Sequence, residues 1–121
     1  MRKILVVEDN PDNMYLITFA LEHAGYQVIQ AFTGEDGVEL ALKERPDLII
    51  MDLQLPGIDG LESTRRIRAS KADNTVPIIA LTSFAMAGDR QRALDAGCTG
   101  YMEKPLNPET FLGQIEVYFK T

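Results

Sequence analysis

The sequence predicts an α/β protein with a doubly wound, all-parallel sheet of five strands and helices on both faces. Three observations predict it. Short apolar runs recur along the chain, and they are continuous rather than alternating, as strands covered on both faces are. Segments with helical spacing separate these runs. The connections are short, and right-handed crossovers between parallel strands then place helices on either side of the sheet.

The elements follow in order. Ile4–Val7 is the first strand. Asn10-Pro11 reads as an N-cap followed by proline in the first helical position. Met14, Ile17, Leu21 and Ala24 then recur at three and four residues, one face of a helix that stops at Gly25. Val28–Ala31 is the second strand, and Thr33 with Asp36 three residues on forms a capping arrangement. Leu48–Met51 is the third strand, and Val76–Leu81 the fourth. A helix carrying Ala85, Ala87, Ala93 and Ala96 runs to Gly97; alanines bury little, so this helix is expected to be loosely held. Thr99–Met102, a weaker run, is the fifth strand. Asn107-Pro108 opens the last helix, whose apolar face is Phe111, Leu112, Ile115, Tyr118 and Phe119, and which is expected to end within a residue or two of Thr121. Five strands suit the flavodoxin-like order 2-1-3-4-5. No linker, repeat or low-complexity segment interrupts the chain, so residues 1–121 are expected to form a single domain, and Met1 favours a stand-alone protein.

Composition narrows the function. The 121 residues, 45% hydrophobic and 25% charged, suit one ordinary core. A net charge of -6 disfavours nucleic acid, because a polyanion is repelled. The apolar runs are far shorter than a bilayer span, and the N-terminus has no signal-peptide pattern. Cys98 is the sole cysteine, so no intrachain disulfide or cysteine-rich metal site forms. A cytoplasmic location is expected.

The stretch "LIIMDLQLPGIDG" ends a buried strand on a carboxylate, Asp52. Ligands of such sheets bind at the carboxyl edge of the strands. The first strand leads there to Glu8 and Asp9, the third to Asp52, the fourth to Thr82 and Ser83, the fifth to Lys104 and Pro105. Three neighbouring carboxylates repel, and one of them should hold its proton more tightly than normal. A hard divalent cation removes that conflict: Mg²⁺ takes oxygen ligands and keeps some waters. Asp9 and Asp52 are the direct ligands expected, with Glu8 acting through water and the Gln54 carbonyl completing the set. Lys104 and Thr82 fit an arriving phosphoryl group through a charge-assisted bond and a hydroxyl bond. Cys98 reads as a small buried group, and His23 lies near a helix end. Asp52 is the remaining nucleophile, and carboxylates do form aspartyl phosphates.

"VVEDN", "IIMDLQLPGIDG", "IIALTS" and "YMEKP" together resemble the receiver domain of bacterial response regulators, over essentially the whole chain. The stretch "SFAMAGDRQRALDAGCTGYMEKP" looks most like single-domain regulators of the DivK kind and receivers of hybrid kinases. The resemblance implies that Asp52 accepts a phosphoryl group from a phosphohistidine on a sensor histidine kinase or a histidine phosphotransfer protein. It implies Mg²⁺, or Mn²⁺ in its place, at Glu8, Asp9, Asp52 and the Gln54 carbonyl. Thr82 and Tyr101 look like the switch pair, and Lys104-Pro105 like the family's cis peptide. Ser83 is small enough to admit a donor, and Phe84, two residues past Thr82, is expected to cover the phosphorylated side chain. The protein would then be no enzyme beyond its own phosphorylation and dephosphorylation. Its signal would reach a downstream protein through the surface of helix 4, strand 5 and helix 5.

Alternatives weigh less. A receiver excised from a hybrid kinase would carry the same residues. A Mg²⁺-dependent phosphohydrolase on a similar sheet carries Asp-x-Asp after the first strand, where this chain reads "EDNPDN". A flavin carrier needs a Ser/Thr/Gly-rich phosphate loop, and this loop is acidic. A degenerate receiver would lack key residues that are present here. Arg65, Arg66 and Arg68 read as a solvated basic face.

Overall fold

Ile4, Leu5, Val6 and Val7 are all fully buried. Two-residue alternation sends Ile4 and Val6 into one core and Leu5 and Val7 into the other. A strand can bury both faces in this way only between two layers of helix. Each such side chain contributes about 1.5 to 3 kcal/mol.

The structure is a computed structural model that describes residues 1–70, 75–83 and 88–119. Strands and helices alternate: β1 Lys3–Val7, α1 Pro11–His23, β2 Gln27–Ala31, α2 Gly34–Glu44, β3 Leu48–Asp52, α3 Gly60–Ala69, β4 Ile78–Thr82, α4 Asp89–Ala96, β5 Gly100–Glu103 and α5 Pro108–Val117. The strands pair in parallel in the order β2-β1-β3-β4-β5, as expected. One face is covered by α1 and α5 through Met14, Ile17, Leu21, Phe111 and Ile115. The other is covered by α2, α3 and α4 through Ala41, Ile67 and Ala93.

The helix starts follow the sequence signals. Asn10 Oδ1 accepts the Asn13 N–H at 3.0 Å, Thr33 Oγ1 the Asp36 N–H at 3.1 Å and Asn107 Oδ1 the Glu109 N–H at 2.9 Å. Each cap satisfies a backbone donor that the helix leaves unpaired. Gly97, at φ 113°, ends α4 in a conformation that glycine adopts without strain.

Several boundaries differ from the sequence reading. β4 begins at Ile78 rather than Val76, because Pro77 has no N–H to give the ladder. β3 and β4 each run one residue further, so Asp52 and Thr82 are themselves strand residues. α5 stops at Val117; Tyr118 caps it, and Tyr118 and Phe119 pack against the α1–α5 core from the turn beyond. Arg65 and Arg66 do sit on a solvated face, paired to Glu62. Arg68 does not: its Nε donates to Gly97 O at 2.8 Å and its Nη2 to Thr99 Oγ1 at 3.2 Å, tying α3 to the turn before β5. Phe84, Ala85 and Ala87 lie outside the described residues. Among the described residues, no helix is long and apolar enough to cross a membrane.

Candidate functional site

Parallel pairing brings the ends of β1, β3 and β4 to one edge. Asp52 closes β3 opposite Leu81, and Thr82 closes β4 opposite Glu103. Glu8 follows β1 directly, and its N–H still donates to Ala31 O at 3.0 Å, so the ladder holds it in place. Gly60 sets the level of Asp52. α3 starts so close to the end of β3 that a Cβ on Gly60 would land on the Asp52 carbonyl oxygen and 2.8 Å from Leu53 Cα.

Glu8 and Asp52 are almost wholly buried, while Asp9 is exposed. One carboxylate oxygen from each of the three lies within 4.8 Å of the others. Lys104 Nζ reaches both buried acids, 2.6 Å from Glu8 Oε1 and 3.0 Å from Asp52 Oδ2. Its backbone N–H donates to Thr82 O at 2.8 Å, which fixes the lysine to β4. The second oxygens are held by the chain itself: Asn10 N–H donates to Glu8 Oε2 at 3.1 Å and Gln54 N–H to Asp52 Oδ1 at 2.9 Å.

Burial pushes the Glu8 carboxyl above its ordinary 4.5; Lys104 and the Asn10 N–H pull it back, and nearby Asp52 adds to the rise. Burial works against the Lys104 ammonium, but its bonds to Glu8 and Asp52 outweigh this and hold it above 10.5. One of three clustered acids was expected to cling to its proton, and that acid is Glu8. With all three acids ionised, one ammonium leaves two negative charges uncompensated (−3 + 1 = −2). Glu8 Oε1 and Asp52 Oδ2 share the single Lys104 ammonium. Oxygen donors and two uncompensated charges both fit a hydrated divalent cation.

The structure gathers Glu8, Asp9, Asp52, Gln54, Thr82, Ser83 and Lys104 at this edge. The Lys104-Pro105 bond is cis. Tyr101 lies on β5 opposite Ala80, on the face of the sheet that Ala80 and Ala93 line, which by alternation is also the face of Thr82. It is half-buried there.

Two features escaped the sequence reading. The first is the Gln54 side chain: Nε2 donates to Thr82 Oγ1 at 2.9 Å, and Oε1 accepts the Ser83 N–H at 3.2 Å. No sequence signal pointed to it, because its reach depends on the path of the loop. The second is the outer side of α1, where Tyr15, Leu16 and Phe19 are 66, 64 and 59% exposed. Leu16 and Phe19 line an apolar groove of about 290 Å³ against Leu106, Pro108, Phe111 and Leu112 of the α5 side. Here a signal existed, since these apolar residues fall off the Met14–Ile17–Leu21 stripe. Leu16 and Leu106 also line a smaller cavity that reaches Lys104 and Pro105.

This fold, with an acidic cluster and a lysine at the carboxyl edge of its sheet, defines a class of signalling domain. The response regulator receiver domain family matches residues 4–116, and the chain belongs to that family. It is 39% identical over 117 residues to the polar-differentiation response regulator DivK of Brucella anthropi, covering 97% of this chain and 95% of that one. Among solved structures it is similar to the receiver domain of sensor histidine kinase PA1611 from Pseudomonas aeruginosa. That match has TM-score 0.92, 39% identity, and covers 99% of this chain and 98% of the other, which holds a magnesium ion in its active-site cleft. A putative response regulator from Chloroflexus aurantiacus matches with TM-score 0.93 at 29% identity, covering 99 and 98%.

Proposed function

We propose that Asp52 is the phosphoacceptor of a two-component or phosphorelay system, taking a phosphoryl group from a phosphohistidine. The observation that carries this reading is the meeting of Glu8, Asp9 and Asp52 within 4.8 Å, with Lys104 3.0 Å from Asp52 Oδ2. One oxygen of the Asp52 carboxylate attacks phosphorus. The P–N bond to the donor imidazole breaks, and its electron pair stays on that nitrogen. Such transfer depends on positioning and charge stabilisation more than on covalent assistance.

Asp9, Asp52 and the Gln54 carbonyl would hold Mg²⁺ or Mn²⁺, with Glu8 acting through a water. The cation supplies neutralisation of the acids and of the moving group. Lys104 then turns from its acids to the phosphoryl oxygens, and Thr82 donates its hydroxyl. Phosphorylation adds about 1.5 to 2 negative charges. Two bonds to a charged group total about 3 to 6 kcal/mol before ordering costs. Complete reversal of a 1:99 equilibrium takes about 5.5 kcal/mol, so phosphorylation alone shifts the population incompletely and a bound partner finishes it. Thr82 moving inward vacates space on the face it shares with Tyr101. The change then passes to α4, β5 and α5, the surface offered to a downstream protein. α4 suits this role, as Ala93 and Ala96 are its buried residues.

The donor side is a separate surface. The groove between α1 and α5 shares Leu16 and Leu106 with the cavity at Lys104. An amphipathic helix of a kinase or phosphotransfer protein lying there would present its phosphohistidine to Asp52. The test is radiolabel transfer from a panel of phosphohistidine donors with Mg²⁺ present. Wild type should gain a hydroxylamine-sensitive acyl phosphate that Asp52→Ala does not. Label retained in Asp52→Ala, or no label from any donor, would sink the reading.

A further inference from the structure

Gln54 is exposed in the loop between β3 and α3, yet both ends of its amide are engaged at the end of β4. Nε2 donates to Thr82 Oγ1 at 2.9 Å, and Oε1 accepts the Ser83 N–H at 3.2 Å. The Ser83 N–H settles which way the amide points. A backbone N–H only donates, so it must face the amide oxygen; the opposite orientation would set NH₂ against N–H. The amide nitrogen therefore faces Thr82, and the Thr82 hydroxyl must accept there. The same residue is tied by its own backbone N–H to Asp52 Oδ1 at 2.9 Å. One side chain thus spans the strand that carries the acid and the strand that carries the hydroxyl.

We propose that the Gln54 side chain is a latch across this edge. It holds Thr82 and the Ser83 N–H in their unphosphorylated positions and lets go when a phosphoryl group on Asp52 takes them. The proposal rests on Asp52 being the phosphoacceptor and adds how that site is held at rest. A phosphoryl group presents only acceptor oxygens, so it needs donors. Gln54 Oε1 competes with it for the Ser83 N–H, while Nε2 restrains the Thr82 oxygen from moving inward. The two contacts are neutral hydrogen bonds, each worth about twofold to tenfold in an equilibrium. The latch therefore sets the resting population and the strength of the phosphoryl signal needed to shift it, without blocking the reaction. Gln54 acts here as a positioning residue.

The test titrates Mg²⁺ alone, and then beryllofluoride at saturating Mg²⁺, into wild type, Gln54→Met and Gln54→Ala, followed by amide NMR. Methionine keeps an unbranched chain of similar length and cannot replace either bond. Beryllofluoride affinity is compared at Mg²⁺ concentrations that saturate each protein, so a change in the cation's own affinity does not enter the comparison. Beryllofluoride should bind about fivefold more tightly to both variants, and the Ser83 amide signal should already be displaced in their ligand-free state. Equal or weaker beryllofluoride binding by variants saturated with Mg²⁺ overturns the latch and leaves the phosphoacceptor reading standing. A wild type that binds neither overturns that reading and the latch with it. Before ligand is added the Ser83 amide must exchange slowly in wild type and faster in both variants, which lack the Gln54 oxygen; exchange at the unprotected rate in wild type overturns the latch whatever the variants do.

Discussion

Lys104 Nζ stands 2.6 Å from Glu8 Oε1, closer than the 3.0 Å that separates it from Asp52 Oδ2. The sequence reading gave this lysine work only once a phosphoryl group arrives. In the structure it already neutralises part of the acid cluster, so it must exchange partners when the anion enters. Glu8, wholly buried, depends on it most.

Lys104→Met should therefore destabilise the metal-free protein, because it leaves two buried acids without their cation. Removing one partner of a buried pair costs about 3 to 5 kcal/mol. Added Mg²⁺ should restore part of this loss, since binding to the native state stabilises it by mass action. Urea unfolding with and without Mg²⁺ checks both statements, and midpoints equal to wild type in metal-free buffer would refute the first.

Gly60→Ala should damage the site from outside it. The new Cβ would fall on the Asp52 carbonyl oxygen, so α3 or the end of β3 must shift. Overpacking of this kind costs about 1 to 3 kcal/mol. Mg²⁺ affinity should fall as well, because Asp52 moves with its backbone. Calorimetric titration showing wild-type affinity would mean that the close approach does not set the position of Asp52.

Phe19→Asp on α1 should separate docking from chemistry. Phe19 is exposed and does not line the cavity that reaches Lys104, so acetyl phosphate should still phosphorylate the protein at the wild-type rate. Transfer from a phosphohistidine protein should slow at least about tenfold, as loss of a central apolar anchor weakens docking by about 1.4 kcal/mol or more. Unchanged transfer from a donor that labels wild type would exclude this groove as the docking face.

Cys98 gives a pH dependence remote from the site. Burial raises its thiol above the ordinary 9.0, against smaller lowering effects of the Thr64 hydroxyl and Arg68. The folded protein thus favours the protonated thiol. The contribution is fully present below pH 9.0 and is lost as pH rises through the higher folded value. From about pH 8 to about pH 10 the wild type should lose stability faster than Cys98→Ser. Parallel urea-midpoint curves for the two proteins over that range would contradict the assignment.

The fold was readable from local signals because each was strong and agreed with the next. Continuous apolar strands, caps at Asn10, Thr33 and Asn107, and stops at Gly25 and Gly97 are one-dimensional features that a chain cannot easily disguise. The residues of the site were readable too, since parallel strands deliver their last residues to a common edge. Boundaries were less so: Pro77 delays β4, and Tyr118 ends α5 although its apolar period runs on.

What the amino-acid order alone determined was the sheet, its two helical layers and the membership of Glu8, Asp9, Asp52, Thr82 and Lys104 in one edge. Tertiary structure alone decided how those groups share their bonds. The pairing of Lys104 with Glu8, the span of Gln54 from the Asp52 loop to Thr82 and Ser83, and the turn of Arg68 toward Gly97 each depend on contacts between segments far apart in the chain. Periodicity reports which way a residue faces relative to its own element. It carries nothing about the fraction of an ångström that selects one hydrogen-bond partner over another across the gap between two elements.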